Sequence, residues 1–184
     1  MPIAALSLTL VACAERTEAK ADDAPPPPAA TEADEVKGPL TAGAPVPELT
    51  LKMHDGTELD LSKASADGMV LVYFYPKDDT PGCTVEAKGL RDIYPQLTEA
   101  GLTVVGVSTQ DATSHQSFVD SYELPFGLAV DGAEIAAAFG VPMRGGLTAR
   151  QSFLLADGKV AKAWEKVNPS SHAAEVLEAA REAR

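Results

Sequence analysis

The sequence predicts an α/β domain in which helices flank a mixed β-sheet. Residues 69–75 form an apolar, β-rich run, as expected of a central strand covered on both faces. Apolar residues at helical spacing over 83–99 lead directly into a second strand-like run at 102–108. Two strands joined by a helix are expected to be parallel, whereas Asp-Gly dipeptides at 55–56 and 157–158 predict antiparallel hairpins.

The first half of this domain begins with a hairpin. Apolar and polar residues alternate on both sides of His54-Asp55-Gly56, which is typical of two strands joined by a tight turn. The strand at 69–75 follows, and the helix predicted over 83–99 stops at Gly101, a residue type that favours a helix C-terminus. The strand at 102–108 starts immediately afterwards.

The second half adds a helix at 113–122, a short strand at 127–130 and a helix at 133–139 before Gly140. A closing hairpin is predicted around Asp157-Gly158, with Trp164 packed on it. The amphipathic segment 170–184 ends the chain as a helix whose cap is Ser170 or Ser171. This order, which contains no internal repeat, is the arrangement of a thioredoxin-like fold with a central mixed sheet.

The N-terminal residues carry a different signal. Residues 1–13 form an apolar run without charged side chains, shorter than the roughly 20 residues of a spanning helix, and they resemble a secretory h-region. Residues 10–13 (LVAC) resemble the lipobox of bacterial lipoproteins. That resemblance implies a signal peptide over 1–12, a lipid on Cys13 and a periplasm-facing place in the bacterial cell envelope. No lysine or arginine precedes Cys13, and the alternative is an incidental cysteine in a disordered N-terminus.

Residues 13–42 mix alanine, acidic residues and a run of prolines, which predicts a disordered linker before a globular domain at 43–184. The apolar fraction of 45% excludes disorder throughout the chain. The net charge is −12, and both 1–42 and 43–184 are acidic, so nucleic acid is excluded as a partner. A membrane is expected to be reached only through the lipid on Cys13.

Cys83 is the strongest candidate for chemistry. The chain contains only one other cysteine, Cys13, which is too few for a disulfide framework or a cysteine zinc site. Cys83 follows a core strand and a Pro81-Gly82 turn and opens a predicted helix, where free N–H groups and the helix dipole favour an anion. Because the thiolate is the reactive form, this position predicts a nucleophile. The alternative is a buried structural cysteine.

The sequence around Cys83 resembles the active site of the peroxiredoxins, thiol peroxidases built on a thioredoxin fold. Pro76, Thr80 and Cys83 match their P-x-x-x-T-x-x-C motif, and the flanking residues are similar to the bacterioferritin comigratory protein or peroxiredoxin Q subfamily. The similarity runs from Gly43 to the C-terminus and includes Arg150, just before a late strand. It implies an enzyme that reduces hydrogen peroxide and organic hydroperoxides through a sulfenic acid at Cys83.

Each matched residue has an expected role. Cys83 attacks the peroxide, the Thr80 hydroxyl orients the thiolate or the hydroperoxide, and Arg150 stabilises the thiolate and the departing oxyanion. By the resemblance, Pro76 shields the thiolate from water. The alternatives are a helix cap for Thr80, a surface residue for Arg150 and a strand-ending proline for Pro76. Glu86, one turn later, either orients Arg150 or favours the helix N-terminus.

Many relatives of this type carry a resolving cysteine five residues after the first, where this chain has Lys88. The domain has no second cysteine, so the resemblance implies a one-cysteine variant whose sulfenic acid is reduced by a thioredoxin-like protein or a small thiol. Cys13 can serve only if it is neither removed nor lipidated. The three histidines, expected in a hairpin turn (His54) and on exposed helix faces (His115 and His172), lack metal-ligand spacing, and no metal or cofactor is expected.

Two other functions stay open. Thiol-disulfide exchange requires a C-x-x-C pair, and Thr80 stands where its first cysteine would be. A non-catalytic lipoprotein interaction module could retain the same fold. The presence of Thr80, Cys83 and Arg150 together argues against the second alternative.

Overall fold

The computed structural model of the protein describes residues 38–183, in which strands and helices alternate. The strands, in chain order, are β1 (Thr50–Lys52), β2 (Glu58–Asp60), β3 (Met69–Phe74), β4 (Leu102–Val107), β5 (Gly127–Ala129), β6 (Met143–Arg144), β7 (Leu147–Thr148), β8 (Gln151–Ala156) and β9 (Lys159–Trp164). The helices are α1 (Leu61–Asp67), α2 (Pro81–Asp92), α3 (Tyr94–Glu99), α4 (Ala112–Tyr122), α5 (Gly132–Phe139) and α6 (His172–Glu182).

Five strands form the central sheet in the order β5-β4-β3-β8-β9. The strand β3 pairs parallel with β4, and β4 pairs parallel with β5, whereas β8 runs antiparallel to both β3 and β9. The predicted mixed sheet and thioredoxin-like arrangement are therefore confirmed. All residues of β3 are buried, as expected of a central strand covered on both faces.

Alternate residues of β3 enter two separate cores, because successive side chains of a strand point to opposite faces. Leu71 and Tyr73 pack with buried residues of α2, α3, α4 and α6, and Cys83 belongs to this core. Val70 and Phe74 pack on the other side, with residues of α1 and α5 and of the first hairpin. The sheet thus lies between two helical layers, and Cys83 lies in the layer that contains α6.

The helix predicted over 83–99 was wrong in one respect, because the chain forms α2 and α3 with a break at Ile93. Pro95 lies in the first turn of α3, where backbone N–H groups have no partner within the helix, so the missing N–H of proline loses no hydrogen bond. Inside a continuous helix, Pro95 would remove one backbone hydrogen bond. Two further elements were not predicted, α1 and the β6-β7 hairpin. The helix α1 begins after Asp60, whose carboxylate accepts the Lys63 N–H at 2.9 Å.

Residues just before position 43 also pack on the domain. Leu40 is buried, and its N–H donates to the Phe139 carbonyl at 3.0 Å. The predicted signal-like segment 1–12, most of the predicted linker 13–42, and Cys13 lie outside the described residues. Within residues 38–183, no helix has the length and apolar character needed to cross a membrane.

Candidate active site

The strand β3 leads into a short loop that ends in the first turn of α2. Pro76 directly follows the buried Tyr75, and its own side chain is half-buried. Thr80 has an extended backbone and immediately precedes α2, and Pro81 occupies the first helical position, which suits a residue without an N–H. Cys83 is the third residue of the helix, so its predicted place at a helix N-terminus is confirmed.

The sulfur of Cys83 lies against Arg150. Arg150 Nη2 donates to Cys83 Sγ at 3.0 Å, and Cys83 is 1% exposed. Arg150 directly precedes β8, and the pairing of Phe74 with Gln151 brings the end of β3 beside the start of β8. Sheet pairing therefore places a permanent positive charge next to a buried sulfur, where it stabilises an anion.

Glu86 binds the other end of the same guanidinium group. Arg150 Nη1 donates to Glu86 Oε2, and the Glu86 side chain is fully buried one turn after Cys83. Burial raises the pKa of Glu86 to about 7, although Arg150 opposes this rise. Burial lowers the pKa of Arg150, but Glu86 and Cys83 together outweigh burial and raise it overall. Of the two roles considered for Glu86, orienting Arg150 is the one that these contacts support.

The alternative role considered for Thr80 was a side-chain cap of α2, and the structure does not show that cap. Its hydroxyl donates to the Lys77 carbonyl at 3.1 Å, and it forms no side-chain cap bond to α2. Since a hydroxyl has one proton and two lone pairs, this bond leaves the oxygen free to accept a hydrogen bond from a bound molecule. The Thr84 N–H donates to the Thr80 carbonyl at 2.8 Å, which fixes Thr80 in the turn that contains Cys83.

A buried polar cluster supports the loop from α4, and the sequence analysis missed it. Asp78 accepts hydrogen bonds from Tyr75 Oη at 2.7 Å and Ser114 Oγ at 2.6 Å, and His115 Nδ1 lies 2.9 Å from Asp78 Oδ2. The expectation that His115 lies on an exposed helix face was wrong, since His115 is fully buried. Its position three residues before the buried Phe118, on the same face of α4, was the available signal.

Asp78→Asn is expected to lower the free energy of unfolding at neutral pH by about 1 to 3 kcal/mol, because a carboxylate held by several donors is replaced by a neutral amide. Burial raises the pKa of Asp78, but the bonds from His115, Ser114 and Tyr75 outweigh it and lower the pKa overall. The carboxylate therefore stabilises the fold above its unfolded pKa of about 3.9, and this contribution disappears as pH falls through the lower folded value.

Urea unfolding of the wild-type protein and of Asp78→Asn over this pH range measures the effect. The difference between them should shrink below about pH 4. Asp92→Asn is the matched control, because Asp92 is 62% exposed in its ion pair with Arg91 and should cost at most about 1 kcal/mol. Equal destabilisation by both substitutions would contradict a supporting role for the buried cluster.

His172 also differs from its expected position. It begins α6 and is fully buried, with its ring edge-on to Trp164 at 5.4 Å between centroids. The predicted packing of Trp164 on the closing hairpin is confirmed, since Trp164 ends β9 and is 9% exposed. His172 Nε2 lies 3.8 Å from Glu86 Oε1, so this histidine belongs to the surroundings of the site.

The described part of the chain contains no second cysteine thiol. Cys83 is the free cysteine of residues 38–183, and Lys88 is exposed on α2. Within the same residues, no cluster of three or more histidine, cysteine or acidic side chains could hold a metal ion. The described site contains the Cys83 thiol, the Arg150 guanidinium group, the Glu86 carboxyl group and the Thr80 hydroxyl.

Comparisons with known proteins agree with this geometry. The profile of the AhpC/TSA family matches residues 42–163. A putative peroxiredoxin bcp of Coxiella burnetii is 38% identical over 149 residues, which cover 75% of this chain and 97% of that protein. A chloroplastic peroxiredoxin Q of Triticum aestivum is 43% identical over 123 residues, which cover 65% of this chain but only 56% of the wheat protein.

Solved structures give the same result. Peroxidoxin BcpB of Mycobacterium tuberculosis superposes with a TM-score of 0.72 at 31% identity, covering 79% of this chain and 99% of that one. The bacterioferritin comigratory protein of Xanthomonas campestris, described for its alkyl peroxide reduction activity, gives a TM-score of 0.70 at 34% identity, with 77% and 98% covered. The similarity thus includes both the sequence and the arrangement of the whole described domain.

Proposed function

The chain belongs to the AhpC/TSA family, and from this premise we propose that it is a peroxiredoxin, a thiol-dependent peroxidase whose reacting atom is Cys83 Sγ. The observation that carries the assignment of the reacting atom is the 3.0 Å contact between Arg150 Nη2 and Cys83 Sγ at the start of α2. A buried cysteine with only a structural role has no need of a guanidinium donor on its sulfur.

The reaction follows from these groups. The Cys83 thiolate attacks one oxygen of a hydroperoxide, the S–O bond forms as the O–O bond breaks, and the other oxygen leaves as hydroxide or alkoxide and takes up a proton. Cys83 becomes a sulfenic acid, and the peroxide is reduced to water or an alcohol. Arg150 supports the thiolate before attack and the departing oxyanion during it, while the Thr80 oxygen accepts from and orients the hydroperoxide.

An external thiol completes the cycle. It attacks the Cys83 sulfenic acid, water leaves, and a mixed disulfide forms that a second thiol then reduces. This assignment is supported by Lys88 at the position of the resolving cysteine in many relatives and by the lack of a second cysteine in residues 43–184. The reductant we propose is a thioredoxin-like protein or a small thiol.

Treatment of the mature protein with one equivalent of peroxide is therefore expected to give a Cys83 sulfenic acid or a mixed disulfide, with no disulfide inside one chain. Because residues 43–184 contain no second cysteine that could trap the sulfenic acid, sulfinic acid should accumulate when reductant is scarce. Non-reducing electrophoresis and peptide mapping measure these products. A peptide that joins Cys13 to Cys83 would overturn both the one-cysteine assignment and the lipid on Cys13.

We also propose that the protein is a lipoprotein of the bacterial cell envelope, facing the periplasm and anchored through Cys13. The support is the lipobox-like sequence at residues 10–13 and the linker composition that follows it. In bacteria fed a labelled fatty acid, the wild-type protein should take up the label and Cys13→Ala should not. An unlabelled wild-type protein that retains residues 1–12 would contradict the anchor.

A further inference from the structure

Among the buried groups beside the site that lack hydrogen-bond partners in residues 38–183, two face each other. Glu86 Oε1 and both ring nitrogens of His172 have none within the described residues, and both side chains are fully buried. Buried polar atoms are nearly always paired, because leaving one unpaired costs about 1 to 3 kcal/mol. The two groups face each other, with 3.8 Å between His172 Nε2 and Glu86 Oε1, slightly beyond hydrogen-bond range.

The charged groups around Glu86 come from several elements. Arg150, just before β8, binds the other carboxyl oxygen, and Cys83 lies one turn earlier on α2. Tyr73 of β3 is a further titratable neighbour, and its hydroxyl is also buried without a hydrogen-bond partner in residues 38–183. Burial, with Glu86 adding to it, raises the pKa of this phenol well above its usual value, so it stays neutral. Two groups that can carry negative charge, the Cys83 sulfur and the Glu86 carboxyl, therefore share one guanidinium group.

His172 is faced by fewer charges. Glu175, on the same helix, accepts a hydrogen bond from Ser171 Oγ at 2.6 Å, and Arg150 is the nearby cation. Trp164 of β9 covers the ring edge-on. Burial lowers the pKa of His172 to about 4, so the ring is neutral near pH 7, where burial brings the Glu86 carboxyl to its own midpoint.

A neutral imidazole ring suits either state of its neighbour. With the proton on Nε2, the ring donates to an ionised carboxylate; with the proton on Nδ1, the Nε2 lone pair accepts from a protonated carboxyl. The other ring nitrogen has no fixed partner among residues 38–183 that would hold one tautomer in place.

We propose that His172 is a positioning residue that binds the Glu86 carboxyl through Nε2 and thereby sets the charge that Arg150 presents to Cys83. An ionised Glu86 neutralises part of the guanidinium charge, whereas a protonated Glu86 leaves more of it for the sulfur. The contact between His172 and Glu86 is independent of the proposed peroxidase function, but its effect on Cys83 oxidation rests on that function.

Infrared difference spectroscopy of the full-length reduced protein measures the Glu86 carboxyl directly, through the carbonyl stretch of its protonated form. Glu86→Gln removes this band and so identifies it. His172→Leu removes the hydrogen-bonding partner of both forms of the carboxyl group. Because a hydrogen bond to a charged group is about twice as strong as one to a neutral group, the ionised form loses more, and the midpoint of the band should rise by about one pH unit. His172→Gln keeps a donor and acceptor near the Nε2 position and should restore a midpoint close to that of the wild-type protein.

A second measurement needs no substitution of His172 and so remains decisive if the leucine variant does not fold. In wild-type protein with ¹⁵N-labelled histidine, the His172 ring should exchange tautomer at the Glu86 midpoint while remaining neutral, and Glu86→Gln should abolish the change. His115 is the internal control, because its Nδ1 is already engaged by Asp78. A single His172 tautomer throughout, or an infrared midpoint that is the same in His172→Leu and the wild-type protein, would overturn the proposal.

The rate constant for Cys83 oxidation gives the functional readout. Its pH profile should shift by the same unit in His172→Leu and return in His172→Gln. If the protein does not react with peroxide, the proposed function fails while the infrared and ¹⁵N results still decide the His172 contact. If the spectra change but the pH profile of oxidation does not, the proposed influence of the Glu86 charge on Cys83 through Arg150 is wrong.

Discussion

Cys83→Ser is expected to abolish peroxide reduction, leaving only the rate of the protein-free solution. A serine hydroxyl does not ionise near neutral pH, and its oxygen cannot take the place of sulfur in the sulfenic acid intermediate. The positive charge of Arg150 and the N-terminus of α2 do not overcome this difference, since both stabilise an anion that serine does not form. Consumption of hydrogen peroxide by the purified protein with dithiothreitol measures the loss.

Cys13→Ser is the matched control, because it makes the same exchange of sulfur for oxygen at the other cysteine of the sequence. It should consume peroxide at the wild-type rate. Serine is close in size to cysteine, so Cys83→Ser should keep the fold, which thermal unfolding can verify. Peroxide turnover by Cys83→Ser at the wild-type rate would contradict the assignment of Cys83 as the reacting residue.

The elements that the sequence predicted correctly have strong local signals. The run at 69–75 and the two Asp-Gly hairpins are defined by period and turn chemistry within a few residues. The break at Ile93 was not evident, because apolar residues continue at helical spacing from α2 into α3 and hide the effect of Pro95. The short helix α1 was missed because its first residues continue the alternating pattern of the preceding strand.

Local sequence patterns predict only part of the site. The place of Cys83 at a helix N-terminus could be inferred from nearby residues, but Glu86 and Arg150 are 64 positions apart. Only the pairing of β3 with β8 brings them together, so the sequence left the role of Glu86 open. His172 was misplaced because its polarity suggested exposure, although Val176, four residues later on the same helix face, is fully buried.

Arg150→Met is expected to slow the oxidation of Cys83 by about 10²-fold or more, the effect of removing one charge-stabilising donor from an active site. Methionine is flexible and apolar, so it fills part of the space without donating to the sulfur or to Glu86. The second-order rate constant for sulfenic acid formation in a single turnover measures this effect separately from the reductant. If Arg150→Met is oxidised at the wild-type rate, Arg150 does not contribute to catalysis.

Two companion variants separate charge from geometry. Arg144→Met makes the same charge change on the exposed β6 strand, and it should alter the rate by no more than about twofold, because solvent screens surface charges. Arg150→Lys keeps the charge but loses the planar fork that contacts Cys83 Sγ and Glu86 Oε2 together. A rate between those of Arg150→Met and the wild-type protein is therefore expected for Arg150→Lys. If Arg144→Met slows oxidation as much as Arg150→Met does, the effect belongs to the net charge of the protein and not to the 3.0 Å contact with sulfur.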